Sequence, residues 1–377
     1  MALEEFKKNK TTDFMMNVSV SREINIKWLP LEELLKEESI VGKKLVFIDP
    51  IVLYENKSLI EIEISTNNVV FFPISVNEDS KELETLEKVL DTLDQEGIGR
   101  TTDMIYAVGG GVLLDVVSLA CSVFRRGIHM IKVPTTLLAF VDASIGIKTA
   151  VNFKGIRNRI GSYNSRFDVV LDPILIETNN RSLIIQGLGE IFKIALIKSE
   201  NLFNFILQNK NKFLSKGFFQ TEAGLYILTD SLRLMLEEIH ENPEELILKR
   251  CVDFGHTFSP LVEMESVKNP KYRKLHHGFS VAFDCFFTSF ISFSRGILSE
   301  SNFKKITDLY QLFDFDFKNS VYQDDDLMWA SVLEMKKHRG MNQHIPIPTS
   351  IGSYIFIEDL SYNEFIDLKQ KFMALLK

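Results

Sequence analysis

Cysteine is scarce in this chain, and its three residues, Cys121, Cys251 and Cys285, stand far apart in apolar surroundings. Neither a disulfide framework nor a thiolate metal cluster is expected from that pattern, which suits buried thiols in a reducing, cytoplasmic setting. Positive charge is also short. With 43 Lys and Arg against 51 Asp and Glu the net charge is -8, which argues against a nucleic-acid partner and means that any phosphate must meet a local cationic pocket. Long hydrophobic runs are lacking as well. The opening MALEEFKKNKTTDF has no apolar core of a secretory leader, and the most apolar window, Val281 to Phe293, is interrupted by Asp284. No uninterrupted run approaches the about 18 residues that a bilayer crossing requires, so no membrane partner is expected and that window reads as a buried helix.

What is present is ordinary globular material, 45% hydrophobic and 25% charged over 377 residues, enough for about two domains. The densest signal lies between Ile105 and Asn158. Ile105 to Val108 reads as a buried strand, Gly109, Gly110 and Gly111 follow directly, and Val112 to Phe124 has the apolar spacing of a helix. A glycine turn between a strand and a helix leaves amide N–H groups open beside a helix N-terminus, a place that suits a pyrophosphate, although a tight turn needs glycine for backbone reasons too. Asp115, one turn into that helix, serves the helix dipole or reaches a nucleotide. Lys148 stands among small and apolar residues, six positions after Asp142, where a solvated lysine would have polar neighbours.

Around this stretch the first half alternates strand and helix. Val18 to Trp28 alternates in places; Lys44 to Ile48, Leu59 to Ile64, Val69 to Ile74, 103–108 and 128–133 are strand candidates. Ser80 is a reasonable N-cap for a helix reaching Gln95, with Leu83, Leu86, Val89, Leu90 and Leu93 on one face. Asp49 closes a strand as a turn residue or as an acceptor for ribose hydroxyls. From Ile174 onward the pattern becomes helical, over Ser182 to Ile197, Leu202 to Lys216, Glu222 to Ile239 and Glu244 to Phe254. The expected architecture is an α/β nucleotide-binding domain, 1–173, and an α-helical domain, 174–377, with a site in the cleft between them. Glu190, His256 and His277 stand out in the helical half, but their separation along the chain says nothing about convergence. On the residues alone, a helix-surface acid and hydrogen-bonded histidines are the more usual reading.

The segments GGGVLLD, FRRG, VPTTLLAFVDASIGIKTAVNF, RNRIGSY, GLGEIFKIAL, VDFGHTFSP and LHHGFSVAFD, in this order, resemble the sugar phosphate cyclases, the family of 3-dehydroquinate synthase, over roughly positions 45 to 352. The resemblance implies a dehydroquinate synthase-like fold, an α/β NAD-binding domain followed by an all-α domain, and a lyase that eliminates phosphate. It implies a divalent ion, zinc or alternatively cobalt, on Glu190, His256 and His277, the last preferred to His276 because it directly precedes Gly278. It implies NAD at Asp49, Glu78, Lys81, Gly109, Gly110, Gly111, Asp115, Thr135, Thr136, Asn158 and Thr178, with Asn77 replacing the glycine of a G-E-x-x-K pattern. Asp142, Lys148, Asn158 and Lys193 match positions that orient substrate or assist proton transfer. Phosphate is expected on Lys148, Arg126, Lys337 and either Lys249 or Arg250, with Arg126 contributed across a homodimer interface. In the family NAD transiently oxidises a sugar alcohol, phosphate leaves by β-elimination, the hydride returns, and an intramolecular aldol closes the ring.

Where the resemblance breaks, the substrate is addressed. Dehydroquinate synthases read G-H-T-F-G-H with Asn three residues before the first histidine; this chain has Asp253 and Pro260 at those places, and Phe153 where a histidine follows the K-T-A-V-N run. Proline supplies no side-chain donor or proton. These departures, with VDAS and GSY, are similar to the 2-epi-5-epi-valiolone synthase branch, which acts on sedoheptulose 7-phosphate, a substrate without a carboxylate. Ile147 resembles the desmethyl-4-deoxygadusol synthase pattern instead, and Phe279 departs from both. 3-Dehydroquinate synthase itself, and a metal-dependent polyol dehydrogenase with net NAD reduction, are the alternatives.

Overall fold

The computed structural model describes residues 22–376 apart from 38, 39, 41, 67 and 339. The polar leader and the first part of the alternating Val18 to Trp28 stretch lie outside the described residues. Six strands, β1 (Ile26–Trp28), β2 (Lys44–Ile48), β3 (Val69–Pro73), β4 (Met104–Gly109), β5 (Met130–Pro134) and β8 (Phe167–Leu171), form a sheet in the order β1-β8-β5-β4-β2-β3. Every pairing in it is parallel. The near-continuous apolar runs follow from that, because helices cover both faces of the sheet and neither is left to water. Leu45, Phe47, Ile105 and Ala107 point into one layer with Leu86, Val89 and Leu114, whereas Val46, Ile48, Tyr106 and Val108 point into the other with Leu34, Val52 and Ile62.

Three local expectations change. The segment around Leu59 to Ile64 is the helix Lys57–Ser65, not a strand: LIEIEI alternates, yet Leu59 and Ile62 are buried while Ile60 is exposed, so the helical i, i+3 pair meets the sheet. Ser80 does not cap the long helix. It closes a capping box with Asn77 around the short turn Glu78–Ser80, and the helix Leu83–Gln95 starts after Glu82. Leu86, Val89 and Leu93 are its buried face, while Leu83 is exposed. The helix expected over Glu244 to Phe254 is a loop ending in one 3-10 turn, Cys251–Asp253. Leu246, Ile247 and Leu248 face water there, so no core contact stabilises a helix, and Glu245 adopts φ 56°.

Between β5 and β8 an antiparallel hairpin, β6 (Lys148–Phe153) and β7 (Ile156–Tyr163), turns at Lys154 and Gly155, both at positive φ. The helical half is built on Arg181–Lys198 and the almost wholly buried His277–Ser294, which contains the interrupted apolar window. Many of the phenylalanines find their place here, with Phe283, Phe286, Phe287 and Phe290 all against Phe372. One further hairpin, β9 (Ile345–Ser350) and β10 (Ser353–Ile357), is set into this helical half. The three cysteines are buried and free, and no helix among the described residues is long and apolar enough to cross a membrane.

Candidate active site

The carboxyl ends of β2, β4 and β5 lie side by side, Ile48 opposite Val108 and Gly109 opposite Pro134. That register brings Asp49, Gly109 to Gly111, Thr135 and Thr136 to one edge of the sheet, the edge at which parallel α/β sheets bind ligands. Asp49 caps the following helix through Ile51 N, and Thr136 caps Leu137–Val141 through Ala139 N. None of the three glycines has positive φ. They are needed for space: a Cβ on Gly110 would approach Thr136 Cγ2 to 3.1 Å, and one on Gly111 would approach Ala143 Cβ to 3.3 Å. The turn is a backbone cradle at the N-terminus of Gly111–Val123, which fits a dinucleotide pyrophosphate. Thr178 bonds Leu175 O inside a 3-10 turn.

Beside the cradle Lys81, 2% exposed, places Nζ 2.7 Å from both Asp115 Oδ2 and Asn158 Oδ1. Asn152 ties this cluster to the hairpin, donating to Glu78 O and accepting from Asn158 N, while its own N–H donates to Lys81 O. Glu78, Lys81, Asp115 and Asn158, expected at the cofactor, are therefore contiguous.

Glu190, His256 and His277 converge, with one ligand atom from each within 4.8 Å of the others. Two glycines allow it. A Cβ on Gly189 would lie 2.3 Å from Gly278 O, and one on Gly278 would lie 2.1 Å from Gln186 O, so the two long helices touch backbone to backbone beside Glu190 and His277. His256 Nδ1 faces Phe254 O at 3.4 Å and His277 Nδ1 donates to Glu263 Oε2 at 2.9 Å, which leaves both Nε2 atoms for the shared space. Both Glu190 oxygens are buried without a well-formed hydrogen bond, facing Lys193 Nζ at 2.5 Å and His277 Nε2 at 3.4 Å. A buried carboxylate, two imidazole Nε2 atoms turned toward it and a second carboxylate behind one histidine fit a divalent ion of the zinc class, with coordination positions left for substrate.

The charges of this centre are strongly coupled. Burial would raise the Glu190 carboxyl, but Lys193 and the histidines outweigh it and hold it far below the usual range. Burial would lower His277; Glu263 and Glu190 prevail and push it up to about 10. His256 is driven down by burial and by Lys193. Asp142, at the C-terminal end of Leu137–Val141, is raised by burial and by the Glu190 charge.

A cationic group forms the outer wall. Lys148 Nζ lies 2.5 Å from Glu245 Oε1, and Arg250 pairs with the same carboxylate and, through Nη2, with Asp253 Oδ1 at 2.5 Å. Lys249 turns away, 3.5 Å from Glu358 and over the Phe356 ring. The structure thus joins Arg250, not Lys249, to Lys148. Lys337 pairs with Glu334 on the exposed side of its helix, and Arg126 is exposed on the Phe124–Arg126 turn. Neither joins the other cations within this chain.

Two residues of the centre escape sequence reading. Glu263 lies seven residues after His256 in Ser259–Lys268, in no quoted motif. Its second oxygen pairs with Arg157 Nη1 at 2.5 Å, and Arg157 Nε lies 3.1 Å from Glu78, so one chain of charges runs from His277 to Glu78. Arg157 had a signal, since it directly precedes Asn158 within RNRIGSY.

Comparison with known proteins decides the family. Residues 71–186 match the family model of the 3-dehydroquinate synthase N-terminal domain, and residues 187–338 that of the 3-dehydroquinate synthase C-terminal domain. The chain belongs to the 3-dehydroquinate synthase family. Within the family this cyclase-like chain is 36% identical over 296 residues to a 2-epi-5-epi-valiolone synthase of Streptomyces albus, covering 77% of this chain and 71% of the relative. It is 30% identical over 332 residues to a demethyl-4-deoxygadusol synthase of Trichormus variabilis, covering 86% and 79%. The solved 2-epi-5-epi-valiolone synthase of Streptomyces hygroscopicus, with NAD+ and Zn2+ bound, matches this dehydroquinate synthase-like fold at a TM-score of 0.88 and 31% identity, over 96% of this chain and 100% of that one.

Proposed function

We propose that the protein is a sugar phosphate cyclase that converts sedoheptulose 7-phosphate to 2-epi-5-epi-valiolone or an epimer of it, releasing phosphate. The observation that carries this reading is the convergence of Glu190, His256 and His277 beside Lys193, with Asp253, three residues before His256, holding Arg250 as its partner and so adding negative charge where a substrate carboxylate would need a cation. The likeness to valiolone synthases supports it.

When bound, NAD supplies reversible hydride acceptance and the divalent ion supplies Lewis-acid polarisation of substrate oxygens. The Gly109 to Gly111 turn, Asp49, Thr135, Thr136, Thr178 and the Glu78, Lys81, Asp115, Asn158 cluster would hold NAD, and Glu190, His256 and His277 would hold the ion. The residues of the chain do the rest. Lys193, fixed by Glu190, donates to a substrate oxygen, and Asp142, with its raised pKa, exchanges a proton with a substrate hydroxyl. Lys148 and Arg250 take the phosphate oxygens in place of Glu245, which supplies them with an internal anion until then. The domains meet near Asp172, a homodimer brings Arg126 toward a neighbouring site, and the three buried thiols suit a reducing cytosol.

Incubation of the purified protein with sedoheptulose 7-phosphate, NAD and zinc tests the reading. Phosphate release with a cyclised product by NMR is expected. Accumulation of NADH in step with sugar consumption would instead identify a polyol dehydrogenase.

A further inference from the structure

The helix His277–Ser294 is buried along its length, and within it Asp284 is the one acidic residue, 0% exposed among Val281, Phe283, Cys285, Phe286 and Phe287. A carboxylate in such a place is costly unless fully engaged. Its Oδ2 accepts from Phe258 N at 2.6 Å and Ser259 N at 2.9 Å, and Oδ1 accepts from Thr288 Oγ1 at 3.1 Å. Phe258 and Ser259 are the second and third residues after His256, where the chain turns into Ser259–Lys268, a helix whose N-cap residue, Phe258, makes no side-chain capping bond. Asp284 replaces that cap from outside. The helix that begins with His277 therefore grips, two turns further on, the backbone that presents His256.

We propose that Asp284 is a positioning residue for the metal centre: it fixes the loop of His256 to the helix of His277, and so sets the separation of the two imidazoles before an ion arrives. The inference rests on the metal reading of the triad. It concerns preorganisation of the ligand set, which Asp284 provides by accepting hydrogen bonds, so asparagine can replace it and alanine cannot.

The test measures Zn2+ affinity by competition with a chromophoric chelator, with NAD affinity followed on the same samples. His256→Ala serves as the control for the metal reading itself: if the wild-type protein binds zinc no better than this control, the triad is not a metal site, which is a different result from failure of the Asp284 role. Given wild-type binding, Asp284→Ala is expected to weaken zinc at least about tenfold with NAD affinity unchanged, and Asp284→Asn to stay within about threefold of wild type. Thr288→Val removes the bond that orients the carboxylate and is expected to weaken zinc about threefold, which decides the matter if Asp284→Ala does not fold. Wild-type zinc affinity in Asp284→Ala, or in Thr288→Val when the alanine variant is unfolded, overturns the proposal. So does a loss in Asp284→Ala shared equally by NAD.

Discussion

Removing Glu263 is the sharpest perturbation of the centre that leaves the three proposed metal ligands untouched. The side chain is 4% exposed, with Oε2 accepting from His277 Nδ1 at 2.9 Å and Oε1 paired to Arg157 Nη1 at 2.5 Å. Breaking a buried ion pair by deleting one partner costs about 3–5 kcal/mol, because the other charge is left uncompensated. Arg157 keeps Glu78 at 3.1 Å, so Glu263→Ala belongs at the lower end, about 3 kcal/mol. The metal effect is separate: carboxylates behind a ligating histidine are worth about 10–100-fold in affinity, since they fix the ring and its tautomer. Glutamine still accepts from His277 but carries no charge, so Glu263→Gln should lose about tenfold in zinc affinity and Glu263→Ala about a hundredfold. Chelator competition at fixed pH measures the affinities, and urea unfolding of the metal-free protein measures the stability loss. Two variants that bind zinc as tightly as wild type would refute the reasoning, and a glutamine variant weaker than the alanine one would contradict the tautomer argument.

Other outcomes follow from the same geometry. Burial would raise Glu263, but Arg157 and His277 hold it down at about 2, so its contribution to stability is present above the ordinary value of 4.5 and is lost as pH falls toward 2. His277, raised from 6.5 to about 10 in the metal-free protein, contributes fully below 6.5 and loses that contribution as pH rises toward 10. Metal-free protein should therefore be most stable between those two limbs, and zinc, which displaces the His277 proton, should remove the alkaline limb; thermal melts across pH with and without zinc check this. Gly278→Ala drives a Cβ to 2.1 Å from Gln186 O, so it should cost about 3 kcal/mol and weaken zinc in parallel, in contrast to an equally stable protein if the helices can simply slide. Glu245→Ala releases Lys148 and leaves Arg250 on Asp253 alone and should lower KM for the sugar phosphate by roughly fivefold with kcat little changed; a higher KM would mean that Glu245 positions those cations for the substrate.

The centre was legible in the sequence to the extent that its residues sit in contiguous motifs. GLGEIFK, FGHTF and LHHGF carry the three proposed ligands, and the same segments hold Gly189 and Gly278, whose lack of side chains closes the helix pair. Glu263 lies in none of these motifs, and Asp284, although it closes LHHGFSVAFD and interrupts the apolar window, shows no role there, because each acts through a contact made across the fold, on His277 in one case and on Phe258 and Ser259 in the other. The sheet was readable from its buried apolar runs. LIEIEI misled because alternation and an i, i+3 face coincide in so short a segment, and only packing of Leu59 and Ile62 decides between them. The loop at 243–250 misled for the opposite reason: Leu246, Ile247 and Leu248 extend the apolar pattern of Cys251 to Phe254 backward but face water, while the shape of the segment follows Glu245 into the cations.

The central claim is substrate choice, and phosphate release from two sugars measures it directly. Arg250 is already shared between Asp253 and Glu245, and Pro260 has no donor, so the carboxylate of 3-deoxy-D-arabino-heptulosonate 7-phosphate would enter the cleft without a free partner. A penalty of about 2.7 kcal/mol or more corresponds to at least about a hundredfold in kcat/KM. Sedoheptulose 7-phosphate should be turned over with at least that preference and without NADH accumulating, whereas equal kcat/KM for the two sugars, or turnover of the acidic one alone, would contradict the account.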